Sequence, residues 1–450
     1  DDAKVNRFNG MFRNTFFGDR FEGQLNGQAL FEKRKAGQIN AENPYRIDQE
    51  ISHFSLYGNL GYVDFEKEGQ TAGSLYDLSR STVNSSFGNQ LYKATENRAL
   101  VQMFYMHPFM DGRHLINTGP VFTASQAEEI YRQDTLDYKE WTAGVYLDYT
   151  FRNSTALDNA FTFTISQRLE NVSGDEWMYV PRANIRYLFA KDWTLRGSIG
   201  RGFRFPRIYA DQSALFATAK TWSVTHDQQL EKSWNTGINI VGKPYLWGKE
   251  LNINTDAYLT WFDEQLVVDL DEDYGQVMIY PLSGKSRAFQ TITTLSYPVV
   301  RYFNLKIGGK YTNTKTDYKS GYRQALMIPK WRGLASLDFE SANKKWLWNL
   351  TSNFVGKMRL ADKDQLPHEL IHEHDGYSKT YVLLQSQLTF SHKEWEFYVG
   401  AENLLDKTQH EAIIDASNPY GAYFNAAEIY APVSGIKPYA GIKWYLKTRS

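Results

Sequence analysis

Trp395-Glu396-Phe397-Tyr398-Val399-Gly400-Ala401-Glu402 alternates apolar and polar side chains without a break. A strand turns successive side chains to opposite faces, so Trp395, Phe397, Val399 and Ala401 share one face. Glu396, Tyr398, Gly400 and Glu402 share the other. Upstream, Ser391-His392-Lys393 links this stretch to a second extended run from Tyr381 to Phe390, and Asn403-Leu404-Leu405-Asp406 closes the unit. The pattern recurs over Leu251–Trp261 and Ala183–Phe189, where odd-numbered residues are mostly apolar and even-numbered ones mostly polar. A slip of one residue would exchange the two faces.

Composition narrows what such strands can build. The chain of 450 residues is 15% aromatic, with 30 Tyr, 27 Phe and 12 Trp, yet its mean hydropathy is −0.52. No run approaches the ~20 apolar residues of a membrane helix. A transmembrane barrel reconciles the two facts, because half of each strand faces a wet lumen while aromatic girdles mark the interfaces. A net charge of −1 points away from nucleic acid as a partner. With no cysteine, disulfides, thiolate metal sites and cysteine nucleophiles are excluded.

In chain order the sequence predicts about 19 strands of roughly 10 to 20 residues and no convincing amphipathic helix. Tight turns are expected at 17–20, 111–113, 190–192, 342–345 and 391–393. Long connections are expected at 35–51, 127–136, 206–232, 319–330, 361–377 and 405–435. Short turns on the periplasmic side and long loops outside are the habit of outer-membrane barrels. If the last strand descends to the periplasm, the strand at Val5 to Phe16 descends too, which puts Asp1 outside. Single-chain bacterial barrels have even strand numbers, so an odd count implies strands upstream.

Several stretches resemble one family. Arg196-Gly197-Ser198-Ile199-Gly200-Arg201-Gly202-Phe203-Arg204-Phe205-Pro206 is similar to the strand end and Gly-Phe-Arg-x-Pro turn of TonB-dependent outer-membrane transporters. Leu230 to Gly237, Gly400 to Lys407 and Val180 to Tyr187 resemble further segments of that family, in the expected order. The runs Asp263–Asp269 and Asn418–Gly421 look most like its Bacteroidetes members. The resemblance implies an all-β, antiparallel, up-and-down transmembrane β-barrel over residues 1–450. About 19 of 22 strands would be visible, with the N-terminal plug absent from this sequence.

Four groups of residues are candidates for function. Pro367-His368-Glu369-Leu370-Ile371-His372-Glu373-His374-Asp375 offers three imidazoles, so His368, His372 and His374 could ligate a transition metal. These histidines, or Tyr377, could instead ligate haem iron; the bland alternative is a solvated outer loop. Arg201, Arg204 and Arg207 with Phe203, Phe205 and Tyr209 could stack on and pair with a flat chelate, or serve as girdle and lumen ion pairs. Tyr420 and Tyr423 offer rigid contact area at a barrel mouth. Met103 to Met110 reads as a soft copper site or, preferably, as the lipid-facing end of a strand.

The resulting expectation is a receptor and active importer in the bacterial outer membrane, and not an enzyme. Its cargo would be a metal chelate such as haem, an iron-siderophore or a corrinoid, with no intrinsic cofactor. Expected partners are the lipid bilayer, lipopolysaccharide, TonB acting through the missing plug, and a surface lipoprotein. A passive porin-like channel and a lipoprotein receptor are the alternatives.

Overall fold

The alternating stretches run extended in the computed structural model, which describes residues 3–38, 43–64, 69–154, 160–174, 176–225, 229–371 and 375–445. Trp395–Glu402 is a strand whose Trp395, Phe397 and Val399 are 43, 41 and 57% exposed. Trp395 stacks on Trp444 of Lys437–Trp444 with ring centroids 5.7 Å apart. Arg182–Ala190 likewise exposes Ile185, Tyr187 and Phe189. Large apolar side chains thus form the outer surface of the sheet. An oily exterior is what a bilayer, and not water, selects.

Twenty-one strands join in one antiparallel meander. Glu176–Tyr179 continues into Arg182–Ala190, since both pair with Phe161–Val172. In the same way Gly321–Gln324 continues into Trp331–Glu340 along Phe303–Tyr318. The described residues therefore make nineteen passes. Among them, Lys4–Phe17 pairs only with Phe21–Gly37, and Lys437–Trp444 only with Trp395–Glu402. Connections near the two ends of the sheet nevertheless touch: Tyr45 packs on Phe424 at 4.7 Å, and Gln38 Nε2 donates to the Ala416 carbonyl at 2.8 Å. No described helix is long and apolar enough to cross a membrane.

One end of the sheet carries an aromatic belt. Ring contacts of 5.1 to 6.3 Å run from Tyr105 through His107, Phe109, His114, Phe151, Phe161, Tyr187 and Phe189 to Trp193. Amphipathic rings at one height mark a membrane–water interface. His107 belongs to this belt. It shares the odd-numbered face of its strand with Met103, 53% exposed, whereas Met106 falls on the opposite face. The copper reading of this segment fails on that parity.

Loop lengths differ from the sequence expectation. Tyr131 and Asp134 are joined by two residues alone, so no long connection exists at 127–136. Phe87 and Gln90 are joined as tightly. The six strands from Phe21 to Arg152 compensate in length, with 17, 19, 18, 20, 18 and 19 residues. At ~3.3 Å per residue an 18-residue strand is about 60 Å long, well beyond an apolar band of ~25 Å even when tilted. Their outer faces change accordingly. In Gln90–Phe109, Val101, Met103 and Tyr105 give way to Asn97, Thr95 and Lys93 nearer the long-loop end. The upper ends of these strands stand as a polar-backed wall above the band.

The long connections from Pro206 onward pack against the lumen side of that wall. Ile208–Asp211 forms one helical turn and Ser213–Ala217 a 3-10 turn. Thr221–Val224, Gln276–Pro281 and Leu266–Asp269 make a small separate sheet. Ile208, Tyr209, Leu215, Phe216, Val277, Ile279 and Phe424 are buried together with Phe87, Tyr92 and Tyr131 of the wall. Seven of these ten residues come from connections, so the connections carry their own hydrophobic core. Loops without such a core would stay solvated.

Candidate functional site

Glu129 and Arg207 fix this cap to the wall. Period two puts Glu129 on the lumen face of His114–Tyr131, where it is 2% exposed. Its carboxylate accepts hydrogen bonds from the Tyr92 and Tyr138 hydroxyls at 2.9 and 3.0 Å. It also accepts from the backbone N–H groups of Tyr209 and Ala210 at 3.2 and 2.7 Å. Two of the donors left unpaired at the start of the helical turn thereby find an acceptor. A buried carboxylate with four donors is well satisfied without a cation.

Pro206 ends the preceding strand, because proline cannot donate to a ladder. The next residue, Arg207, forks onto Glu140, with Nη1 and Nη2 each 2.8 Å from a carboxylate oxygen. Nη2 also reaches Glu96 at 3.2 Å and Ser125 at 2.9 Å, and the guanidinium lies 4.7 Å from the Tyr138 ring centroid. Arg204 is held by Glu231 at 2.6 Å and Asp211 at 3.0 Å. Deeper in the cap, Lys220 is 3% exposed with its ammonium 3.8 Å from the Tyr274 ring centroid. Burial pushes its pKa down to about 8, against the pull of Glu428, Asp273 and Asp271.

Two cavities flank these anchors. The first, about 620 Å³, is lined by Arg98, Arg168 and Arg204 with Phe203 and Phe205, and by Glu96, Glu140 and Glu170. Its charges largely pair with each other. A second cavity, about 710 Å³, lies among Lys315, Arg323, Lys330, Arg359, Lys363 and Tyr377. Arg359 holds both oxygens of Asp271 at 2.9 and 2.8 Å, and Lys363 pairs with Glu428 at 3.0 Å.

The residues singled out from sequence do not converge on one point. Arg204 and Phe205 line the first cavity and Tyr377 the second. Tyr209 is 2% exposed in the cap core, its ring 5.2 Å from Trp222 and 5.3 Å from Tyr131. Burial raises its phenol pKa to about 12. It therefore supports the cap instead of meeting a ligand. Tyr420 and Tyr423 are 40 and 39% exposed on the cap surface. Tyr420 donates to the Pro44 carbonyl at 3.3 Å. His368 opens the 3-10 turn His368–Leu370; His372 and His374 lie outside the described residues. Among the described residues, no group of three or more His, Asp or Glu is arranged to hold a metal ion.

Sequence reading named Arg207 but missed Glu129, Glu140, Lys220 and Arg359. A lumen-side carboxylate near a strand end, such as Glu129, was the signal available. Its backbone partners could not be read, because Tyr209 and Ala210 lie 80 and 81 residues away along the chain.

An antiparallel meander with an oily outer face, an aromatic belt and a loop-built cap defines an outer-membrane receptor barrel. The family described as TonB dependent receptor-like, beta-barrel matches residues 2–404, and the chain belongs to that family. Solved structures share the fold. The siderophore receptor PiuA from Acinetobacter baumannii superposes with a TM-score of 0.65 at 10% identity, over 98% of this chain and 74% of that one. The copper transporter OprC gives 0.71 at 12% identity, over 98% and 72%. No curated protein matches the sequence. The protein is a transport receptor of the outer membrane and not an enzyme.

Proposed function

We propose that the protein takes up a scarce metal chelate, bound first at the capped end of the barrel and then moved inward at the expense of energy delivered by TonB. The observation that carries this reading is the cap. A passive pore gains nothing from closing its mouth with buried aromatic residues and a four-donor carboxylate. A gated importer needs a closed resting state and a ligand-biased open one. That PiuA is a siderophore receptor and OprC a copper transporter supports a metal chelate as cargo.

Within this reading Arg204 and Phe205 serve one cavity and Tyr377 the other, and His368, His372 and His374 are the residues proposed to meet a transition metal. Haem, iron-siderophore and corrinoid are the cargoes to compare. Lipopolysaccharide would meet the polar outer wall. A surface lipoprotein is a second reading, favoured by Leu405, Tyr420, Val433 and Ile436, which are 52, 40, 50 and 50% exposed on one long loop. The style of Asp263–Asp269 and Asn418–Gly421 makes a Bacteroidetes member the finer family reading.

Accumulation of iron-55 chelates by cells expressing the protein, with and without a protonophore, tests the proposal. Uptake that stops when the proton-motive force collapses supports import. Uptake that simply follows the external concentration makes the protein a passive channel.

A further inference from the structure

Residues 243–250 join Glu231–Gly242 to Asn252–Glu264 at the short-turn end of the sheet, opposite the cap. Tyr245–Leu246 and Lys249–Glu250 pair as a small hairpin closed by Trp247 and Gly248. Both closing residues have positive φ, 49° and 77°, as a two-residue hairpin turn demands. Asparagine before glycine is the usual solution there, and a bulky side chain in that region is an outlier. Trp247 is also 84% exposed and Tyr245 73%. Backbone sterics and water both disfavour tryptophan at this tip, which points to a surface that receives it.

Neighbouring turns hold the hairpin in place. The Lys243 N–H donates to the Asp192 carbonyl at 2.9 Å, and the Tyr297 hydroxyl to the Leu246 carbonyl at 2.8 Å. Lys249 Nζ donates to the Val299 carbonyl at 2.9 Å, and the Trp247 ring meets Tyr297 edge-on at 6.2 Å. The connections at 190–192, 243–250 and 298–302 are thereby tied into one surface.

The position of that surface decides its partner. Tyr297 lies on the odd-numbered face of Ser286–Val300 with Leu295, and Leu295 pairs with Ile253 and Ile307 on the oily outer face. The aromatic belt reaches the same spot, because a Cβ at Gly242 would sit 2.4 Å from the ring of Trp193, its last member. Trp247 therefore carries the belt past the strand ends, into the layer where lipid headgroups meet water. One sign of charge prevails there: Lys191, Lys243, Lys249 and Arg301 stand against Asp192 and Glu250. Lys243 faces Glu250 at 3.6 Å, whereas Lys191 and Arg301 make no ion pair among the described residues. Exposed cations beside interfacial aromatic rings match anionic lipid headgroups.

We propose that this surface docks anionic phospholipid of the adjoining leaflet, with Trp247 and Tyr245 seated among the headgroups and Lys191 and Arg301 meeting lipid phosphates. It stands apart from cargo and TonB, since it concerns how the barrel is held in its membrane.

Fluorine NMR of the fluorotryptophan-labelled protein in phospholipid nanodiscs tests this. The Trp247 line is identified by its loss in Trp247→Phe, and independently in Trp247→Tyr. Phosphatidylglycerol carrying a spin label near its headgroup is expected to broaden that line several-fold more than phosphatidylcholine labelled in the same place, the worth of a basic residue or two beside anionic lipid. Lys191→Gln together with Arg301→Gln, both at exposed turn positions, should bring the two lipids level while the line stays broadened. A soluble gadolinium chelate should broaden it less than either lipid.

Stronger broadening by the soluble chelate than by either lipid overturns the proposal and makes the tip a contact for a water-soluble partner. Equal broadening by the two lipids in the parent, or a preference that survives the double substitution, overturns the anionic site.

Discussion

Arg207 and Glu140, 67 residues apart in sequence, face each other through two parallel hydrogen bonds of 2.8 Å. The pair is mostly buried, with side chains 15 and 12% exposed, so solvent screens it little. Removing the guanidinium leaves Glu140 and Glu96 as neighbouring carboxylates without their shared cation. Arg207→Ala should loosen the cap by ~3 kcal/mol, the usual cost of breaking a buried pair from one side. Limited proteolysis would show faster cleavage within 205–225 and unchanged resistance of the strands. Equal cleavage rates in variant and parent would remove the latch from the explanation.

Glu129→Gln tests the hub beside it. The substitution keeps the shape and turns one acceptor oxygen into a donor, which then points at groups that are themselves donors. Cap loosening of ~1–3 kcal/mol is expected. Amide chemical shifts of Tyr209 and Ala210 should move, while those of Trp395–Glu402 stay in place.

Lys220 makes the cap sensitive to pH. Its pKa is lowered from 10.5 to about 8 in the folded cap, so the unfolded cap binds more protons between those values. Stability therefore rises with pH from about 8 to 10.5, and the full penalty of burying the charge applies below 8. Fluorotryptophan NMR against urea, with Trp222 as reporter, should show the midpoint climbing across that window. Lys220→Met should flatten the climb.

Gly58 marks a place where adjacent strands leave no room for a side chain. A Cβ there would sit 2.1 Å from the Gln24 carbonyl oxygen and 2.6 Å from the Tyr76 hydroxyl. Backbone cannot swing aside as a side chain can, so Gly58→Ala must push neighbouring strands away from each other. A loss of ~2 kcal/mol or more is expected, seen as a lower temperature for the folded-to-unfolded shift on gels. Gly309→Ala, with nothing within 4 Å, should migrate like the parent.

The membrane-facing sheet was legible because its signal is local. Trp395, Phe397 and Val399 announce their face by spacing alone, and each neighbouring strand repeats the statement. The cap was hidden because its signal is not local. Phe216 meets Tyr92 and Tyr131 across 124 and 85 positions of numbering, and no periodicity links residues drawn from separate connections. Tyr209 reads as a ligand group for the same reason, since an aromatic beside arginines looks alike in a mouth and in a core. The tight join at Arg132 is obscured by Gln126 and Glu128, whose polarity belongs to a strand face above the membrane and mimics that of a loop. Arg204 and Phe205 line one cavity and Tyr377 another, apart from the cap core that holds Tyr209.

Hydrogen exchange of the protein in outer-membrane vesicles reads the cap most directly. Ala219, Thr221, Thr225, Leu282 and Ala426 donate their backbone N–H groups to carbonyls within the cap at 2.8 to 3.0 Å. A folded cap predicts that these amides exchange slowly and together, as one cooperative unit. Exchange at the rate of an open chain, while the strand amides stay protected, would contradict it.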